Sequence, residues 1–438
     1  MPLSGTRRAQ RRAVASAALG VLLVGVGGAP AHAESTRDKQ WHLDAMQAEQ
    51  MWQKSTGDGV TVAVIDSGVD PDSADLKGRV LPGKDFVLDQ PGNEHTDDNG
   101  HGTGMAGLIA GTGAWGGGQG AYGLAPGAKI LPLRVYTDAS LGSQAEATEE
   151  FNELGPQAIR YAADEGAQVI NISLGYSEGS PELTDAVEYA LEKGSLVFAA
   201  VGNTGDKANL AEYPGATPGV VGVGAIGKDL RKTDESQYGP QVDLAAPGEE
   251  MVHACGEASG LCTSHGTSDA TALASASAAL IWSEHPDWTN NQVLRVMLNT
   301  IGAPTDGADR NDSIGYGIVR PRVALQNPGD PGPANEYPLP DLKEAASKPP
   351  AESSAPQGGD DDTGAATDKG PSTAAAASDD GNTTLWIALG TGAALLAAAA
   401  ITLAARKRRN RPTTPTPAPY AYPPPQPPVP SDRRPDTF

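Results

Sequence analysis

Three short segments of the chain carry side chains that could together perform nucleophilic catalysis. Asp66 closes the apolar run "VTVAVID", His101 lies in "DDNGHGTGMAGLIAG", and Ser268 lies in "SHGTSDATALASA". A serine hydroxyl is a weak nucleophile at neutral pH, so it needs a base within hydrogen-bond reach and a partner that orients this base. The sequence therefore predicts Ser268 as the nucleophile, His101 as the general base and Asp66 as the residue that stabilises the histidine cation.

Each of these residues alone also has a structural explanation. Asp66 could be a turn residue at the end of a strand, His101 a histidine with satisfied hydrogen bonds, and Ser268 a helix N-cap. The set is more specific, because Asp, His and Ser follow one another in one of the chain orders known for this chemistry. We therefore favour the catalytic interpretation for the three together.

The elements that must position these residues alternate along the chain. Continuous apolar runs predict buried strands over 60–66, 129–136, 167–174 and 195–203. Between and after them lie helical patterns, with Ser180 as one N-cap and Thr289 with Gln292 as a capping-box pair. This alternation predicts an α/β fold, with a mostly parallel sheet and helices on both faces. Ligands of such sheets bind beyond the carboxyl ends of the strands, where Asp66 and Asn203 are expected.

The segments "DSGV", "NGHGTGMAG" and "HGTS" resemble the three catalytic blocks of the subtilisin-like serine proteases. The resemblance extends over about residues 40–326 and implies a three-layer fold with Asp66, His101 and Ser268 as the catalytic triad. In "AAVGNTG", Asn203 matches the asparagine that holds the negative oxygen of the reaction intermediate in this family. A simple turn is the alternative for Asn203.

The segment "NISLGYS" resembles the strand that pairs with an extended substrate in that family. This implies that Ser173, Leu174 and Gly175 bind a protein or peptide substrate. Tyr176 stands where the family commonly has a second glycine, so we expect it to narrow or reshape the first specificity pocket.

No cofactor is implied by the resemblance. Calcium is often bound in the family, but no loop of this sequence can be assigned as its site, and no metal ligands are predicted.

The sequence departs from the family pattern directly after the nucleophile, where "GTSDATA" has Asp269 in place of an apolar residue. A carboxylate in the first turn of a helix is favourable with the helix dipole by about 0.3–1 kcal/mol. Close to the reacting atoms it would oppose a negative intermediate and raise the pKa of His101. Because no catalytic atom is removed, we expect Ser268 to be active. His253 is expected to be a surface residue.

The formal net charge is −22, and much of the positive charge lies in the two ends of the chain. The acidic middle of the chain repels phosphates, which excludes a nucleic-acid-binding function.

Cys255 and Cys262 lie in a part of the chain predicted to be exported, where an oxidising compartment lets them form a disulfide. Two free thiols are the alternative.

Both ends carry membrane-targeting signals. Residues 1–33 combine a basic start, an apolar stretch and the cleavage triplet "AHA", which predicts a signal peptide, with an uncleaved anchor as the alternative. Residues 385–405 carry no charge and are long enough for a transmembrane helix, and the segment "RKRRNR" follows at once. The positive-inside rule therefore places 34–384 outside the cell membrane and the tail in the cytoplasm. A buried core helix is the alternative for this segment.

Composition divides the remaining chain. We predict an N-terminal extension at 34–59, a peptidase domain at 60–327, a disordered Pro/Ala/Asp-rich stalk at 328–384, and a basic, Pro-rich tail at 406–438. The extension is too short for an inhibitory prodomain. Either the domain folds unaided or the extension wraps around it.

This layout resembles the mycosins, the membrane-anchored subtilisin-like proteases of bacterial type VII secretion. The resemblance implies an anchored endopeptidase that processes proteins exported beside that apparatus. One alternative is a weakly active or inactive protease body that serves as a structural component of the secretion complex. A nutrient-degrading protease is a third hypothesis, which predicts broad cleavage and no need for an anchor.

Overall fold

The protein was analysed as a computed structural model, which describes residues 35–136, 143–255 and 260–347. Chain contacts divide the protein into two units, Met1–Glu352 and Ser353–Phe438, and every described residue belongs to the first. The predicted signal peptide, the transmembrane segment 385–405 and the tail lie outside the described residues. Within the described ranges, no helix is both long and apolar enough to cross a membrane.

A parallel sheet forms the centre of the described part. Its strands are β1 (Thr61–Asp66), β2 (Lys84–Asp85), β3 (Lys129–Arg134), β4 (Val169–Ile172), β5 (Leu196–Ala200), β6 (Val221–Ile226) and β7 (Leu244–Pro247). They are arranged in the order β2-β3-β1-β4-β5-β6-β7, and all adjacent pairs are parallel. A separate antiparallel hairpin pairs β8 (Met251–Ala254) with β9 (Leu261–Ser264).

The order of the strands fixes where a ligand can bind. After β1 the chain forms the edge strand β2 and then β3 on one side of β1, and from β4 onward it runs outward on the other side, so the topological switch point lies between β1 and β4. Crevices for ligands form at such a point, beyond the carboxyl ends of the strands. Asp66 ends β1, and Ser173 follows directly after β4.

Helices cover both faces of the sheet, as the sequence predicts. They are α1 (Thr36–Lys39), α2 (Trp41–Met46), α3 (Ala48–Trp52), α4 (His101–Ala110), α5 (Trp115–Gly118), α6 (Gln144–Asp164), α7 (Pro181–Glu192), α8 (Thr267–Glu284), α9 (Asn290–Asn299), α10 (Pro321–Gln326) and α11 (Asp341–Ser347). One apolar core holds α4 and α8 against the sheet, and a second core on the opposite face holds α6 and α7. Helix α8 consists largely of small residues and is buried from Ala270 to Trp282, so it packs closely under the strand ends.

The predicted helix caps are confirmed. The Ser180 hydroxyl accepts from the Leu183 N–H at 3.1 Å and begins α7, with Pro181 in the first turn. Thr289 and Gln292 form the expected capping box at the start of α9. These interactions satisfy N–H groups that have no partner inside the helix, which is why the sequence signal is reliable.

The N-terminal extension packs on the body. The Gln40 side chain is fully buried; it donates to the carbonyls of Tyr122 and Val252 and accepts from the Tyr122 N–H. The Trp41 indole donates to the Glu249 carbonyl at 2.7 Å. Of the two possibilities for the extension, the structure has the one in which it wraps the domain, and it does so against the hairpin β8–β9.

The prediction of a disordered stalk from residue 328 onward is wrong for residues 328–347. Arg295 donates to the carbonyls of Pro331 and Pro333 at 3.0 and 2.9 Å, and the Tyr337 hydroxyl donates to Gly219 at 2.9 Å. Leu339 is only 2% exposed. Composition failed here because a few anchoring contacts from the body order a segment that has little apolar surface of its own.

Candidate active site

The structure brings Asp66 and His101 together at the switch point. The Nδ1 atom of His101, in the first turn of α4, lies 2.7 Å from Oδ1 of Asp66. Asp66 is fully buried and also accepts from the Ser67 N–H at 2.8 Å, whereas the His101 side chain keeps 33% exposure. Because the carboxylate can only accept, Nδ1 carries the hydrogen and Nε2 is left as the basic nitrogen.

Helix α4 is held in place by polar groups before its first turn. Asp97 accepts from the N–H groups of Gly100 and Thr103 at 3.0 and 2.7 Å, and Asn99 accepts from the His101 N–H at 2.8 Å. The Ser67 hydroxyl donates to Asp97 at 2.7 Å. This network joins the end of β1 to the start of α4, so it fixes the distance between the carboxylate and the imidazole.

The electrostatic surroundings favour a protonated His101. Burial alone would lower the pKa of the imidazole. The Asp66 carboxylate, through its charge and its hydrogen bond, outweighs burial and raises the pKa of His101 to about 9. Asp66 therefore stabilises the protonated form of the His101 imidazole.

Ser268 lies in the first turn of α8, at the same edge of the sheet. Its hydroxyl donates to the Ser173 carbonyl at 3.0 Å, and the Ser173 hydroxyl donates back to the Ser268 carbonyl at 3.0 Å. Among the described residues, no hydrogen bond joins Ser268 to His101. A serine hydroxyl is a free rotor, and catalytic hydrogen bonds often tighten only when substrate binds.

Asn203 follows β5 and contacts the start of α8. Its Oδ1 accepts from the N–H and the hydroxyl of Thr267 at 2.9 and 3.1 Å. Within the described ranges nothing accepts from its amide nitrogen, and the side chain is exposed. Gly266, at φ +128°, leaves room for this amide, because a Cβ there would lie 3.0 Å from Nδ2. The amide and the Ser268 N–H are thus two hydrogen-bond donors near the hydroxyl.

Of the predicted substrate-binding residues, Ser173 is buried, and Leu174 and Gly175 are half-buried after β4. Tyr176 is where the structure differs from expectation. Its ring is buried and stacks on Phe151 of α6 with centroids 4.3 Å apart, and its N–H donates to the Tyr213 carbonyl. The tyrosine is therefore part of the core packing rather than an obstacle in the pocket.

Sequence reasoning missed Glu212. Its Oε1 accepts from Gln237 at 2.7 Å and from Thr204 at 3.4 Å. Its Oε2 lies between two glycine backbones, since a Cβ on Gly175 or on Gly202 would come within 2.2 or 2.7 Å of it. Burial raises the pKa of this half-buried carboxyl. No local motif marks the residue, because only the fold brings it beside Gly175 and Gly202.

The structure also corrects the expectation for His253, which is buried with 4% exposure. It lies on β8 against α4, so close that a Cβ on Gly104 would lie 2.6 Å from its ring. Asp269 is 1% exposed and hydrogen-bonded to Ser264 of β9. Both side chains are therefore buried between the hairpin β8–β9 and the helices of the site rather than exposed to solvent.

Cys255 and Cys262 form a disulfide across the hairpin β8–β9. Together with residues 97–101 the hairpin lines a cavity of about 350 Å³ beside His101. Within the described part of the chain, no group of three or more His, Cys, Asp or Glu side chains is arranged to hold a metal ion.

Comparison with known families places this geometry in context. The model of the subtilase family matches residues 57–318. Thermitase of Thermoactinomyces vulgaris is 36% identical over 248 residues, which is 56% of this chain and 83% of thermitase. Subtilisin Savinase of Lederbergia lenta is 34% identical over 261 residues, covering 59% of this chain and 90% of that protein.

Solved structures give a second comparison. The crystal structure of MycP1 from Mycobacterium smegmatis superposes with a TM-score of 0.60 at 29% identity, over 70% of this chain and 89% of that one. The MycP3 protease of the type VII (ESX-3) secretion system gives a TM-score of 0.57 at 31% identity, over 65% and 87%. The sequence matches therefore include thermitase and a subtilisin, and the structural matches include MycP1 and a protease of a type VII secretion system.

Proposed function

The chain belongs to the subtilase family, and we propose that it is a membrane-anchored, extracytoplasmic serine endopeptidase that processes proteins exported by type VII secretion. That it is a subtilase-type serine protease follows from the family. The observation that best supports the proposed catalytic mechanism is the convergence of Asp66, His101, Ser268 and Asn203 at the carboxyl ends of the strands.

The proposed reaction is acyl transfer in two steps. His101 Nε2 takes the proton of the Ser268 hydroxyl while Oγ attacks the peptide carbonyl, and the imidazolium then protonates the departing amine. Water, deprotonated by the same nitrogen, hydrolyses the acyl-enzyme and regenerates Ser268. Asp66 stabilises the imidazolium, and the Asn203 amide with the Ser268 N–H binds the negative oxygen.

Replacing Asn203 with alanine is expected to lower kcat by roughly 10²–10³-fold with little change in KM, a range measured for such a donor in a subtilisin. The amide contacts only the charged intermediate, so its loss should spare substrate binding. Steady-state kinetics on a peptide substrate would test this. Asn299→Ala, an exposed change at the end of α9, is the control and should keep full activity; an equal rise in KM would contradict the oxyanion role.

Glu212 indicates a preference for a basic side chain before the cleaved bond. The Oε2 atom lies against Gly175 after β4 and Gly202 after β5, and an ammonium or guanidinium group of a bound substrate would pair with it. Glu212→Gln should lower kcat/KM for substrates with Lys or Arg at that position by about 10- to 100-fold.

Two comparisons make this test selective. The same variant should leave kcat/KM for a matched substrate with Leu at that position unchanged or higher. Glu182→Gln, an exposed change at the start of α7, should alter neither substrate. If wild type cleaves the Leu peptide better than the Lys peptide, the assignment of Glu212 to substrate is wrong.

The anchored location is supported by the sequence of the ends, and the secretion role by the similarity to MycP1 and MycP3. The test compares secreted proteins of cells that carry wild type or Ser268→Ala, with mass spectrometry of newly formed termini. We expect a small set of cleavages in exported proteins that is absent with Ser268→Ala. Digestion of intact cells with an added protease should remove residues 34–384 and spare the tail.

A second candidate function, a structural component of the secretion complex, is favoured by the carboxyl group that directly follows Ser268. It predicts that Ser268→Ala cells secrete normally and that only deletion of the whole protein blocks export. Comparing these two strains separates the scaffold role from the catalytic one.

A further inference from the structure

The Asp269 carboxyl poses a charge problem for the proposed function. It is 1% exposed and lies one residue after the nucleophile, close to where the negative intermediate forms. A buried carboxylate is costly unless it is paired, and here it would also oppose the negative charge of the reaction. How its lone pairs are satisfied therefore matters for catalysis.

Asp269 is one end of a buried chain of three side chains. Its Oδ1 is hydrogen-bonded to the Ser264 hydroxyl, and the same hydroxyl oxygen lies 2.9 Å from Nε2 of His253. The other ring nitrogen of His253, Nδ1, lies 2.8 Å from the Ala254 carbonyl. Because a carbonyl can only accept, Nδ1 must carry a hydrogen.

Counting donors shows what this chain requires. With Asp269 ionised and His253 neutral, Oδ1 and Nε2 are both acceptors, and they face a hydroxyl that has one hydrogen to give. The hydroxyl could donate to only one of them, and the other contact would bring two acceptor atoms together without a hydrogen between them. Such a contact is unfavourable in a buried site. One extra proton removes the conflict, either as Oδ1–H···Oγ–H···Nε2 or, reversed, as Nε2–H···Oγ–H···Oδ1.

We propose that Asp269, Ser264 and His253 hold one shared proton, so that position 269 adds no net negative charge beside Ser268. The proposal rests on the proposed protease function for its purpose but not for its geometry. In both arrangements the group as a whole is neutral. Burial raises the pKa of Asp269 and lowers the pKa of His253, and both directions favour the carboxyl over the imidazole as the site of the proton.

Histidines of two neighbouring elements also act on this chain of side chains. His101 on α4 interacts with both ends of the chain and is itself paired with Asp66. On the N-terminal extension, His42 is buried near His253, and burial together with the charge of Arg37 lowers the pKa of His42 to about 3. His42 is thus neutral at working pH. The charge of a protonated His101 lowers the pKa of both Asp269 and His253, so it is burial that makes the carboxyl the better site for the proton.

The proposal makes Ser264 and His253 positioning residues, which keep Asp269 protonated without touching substrate. Asp269→Asn imitates the protonated carboxyl, because its amide can donate to Ser264 in the same way. Removing His253 instead leaves the Ser264 hydroxyl free to donate to an ionised Asp269. Asp269→Asn should therefore preserve the neutral state of the group, whereas His253→Phe should leave a negative charge at position 269.

The experiment measures kcat/KM of the full chain in detergent between pH 6 and 10, for Asp269→Asn, His253→Phe and the double variant. We expect kcat/KM of Asp269→Asn to stay within about threefold of wild type. The acid limb of its pH profile, where kcat/KM rises with pH as His101 loses its proton, should lie at the same pH as in wild type. His253→Phe should lose about tenfold, with the loss growing as pH rises, because Asp269 then ionises beside the intermediate. The double variant should return to the level of Asp269→Asn.

Two kinetic results would overturn the proposal. If Asp269→Asn moves the acid limb to lower pH, Asp269 is charged in the wild type and raises the pKa of His101. If the double variant is no better than His253→Phe, the histidine acts only through packing.

Nuclear magnetic resonance of labelled wild type gives an answer that depends neither on folding of the variants nor on activity. A protonated Asp269 carboxyl with neutral His253, or an ion pair of the two, supports the shared proton; an ionised carboxyl with a neutral imidazole at pH 7 contradicts it. Failure of the protease function itself would appear separately, as an inactive wild type with the shared proton still present.

Discussion

Ser268→Ala is expected to lower kcat by roughly 10⁶-fold, the size measured for the equivalent change in a subtilisin. The alanine removes the only atom that could form the acyl-enzyme, while the neighbouring donors of Asn203 and α8 stay in place. A residual rate above that of water should remain for this reason. The measurement is the hydrolysis rate of a fluorogenic peptide by the purified full chain.

The control for Ser268→Ala uses the same helix. Ser283→Ala makes the same chemical change near the end of α8, where the hydroxyl donates to the Asp58 carbonyl. It should retain wild-type activity. If both variants keep activity, a different nucleophile or a contaminating protease is responsible, and the account of Ser268 fails.

The second large effect is expected for Asp66→Asn, which should lower kcat by roughly 10⁴-fold near neutral pH, the size seen for this change in another serine protease. The asparagine amide can donate to Nδ1, which would then be an acceptor. The hydrogen would lie on Nε2 instead, and in this tautomer Nε2 could not act as the base. The carboxylate that stabilises the imidazolium is lost as well.

The same variant has a signature in the pH profile. Asp66 is the main group that raises the pKa of His101, to about 9, so wild-type kcat/KM should increase with pH through that value as the neutral base appears. Without the carboxylate the pKa of His101 falls, and the acid limb of the low residual activity should move to lower pH. Asp72→Asn, an exposed change, should leave both rate and limb unaltered. An unmoved limb in Asp66→Asn would mean that His101 is not the titrating base.

Local signals accounted for much of the fold. The apolar runs that end at Asp66 and before Asn203 became β1 and β5, which pair with β4 from its two sides in one parallel sheet, and the caps at Ser180 and Thr289 were correct. Such signals can be read from sequence because burial and capping depend on residues close together in the chain.

What the sequence left open depends on contacts between distant segments. The burial of His253 arises because β8 packs on α4 at Gly104, about 150 residues earlier in the chain. Glu212 reaches Gly175 and Gly202 only through the tertiary fold. The order of residues 328–347 likewise comes from Arg295 and Gly219 in the body. Composition and periodicity describe residues close together in the chain, so they do not predict contacts between distant segments.

The most direct test of the central claim, that Ser268 is an activated nucleophile, is labelling of the full-length wild-type protein with a fluorophosphonate, followed by peptide mapping. The phosphonyl group reacts with a serine only when a base activates the hydroxyl. We predict one labelled residue, Ser268, with labelling lost in Ser268→Ala and greatly reduced in His101→Ala. A well-folded wild type that takes up no label, or that carries it on another serine, would contradict the assignment.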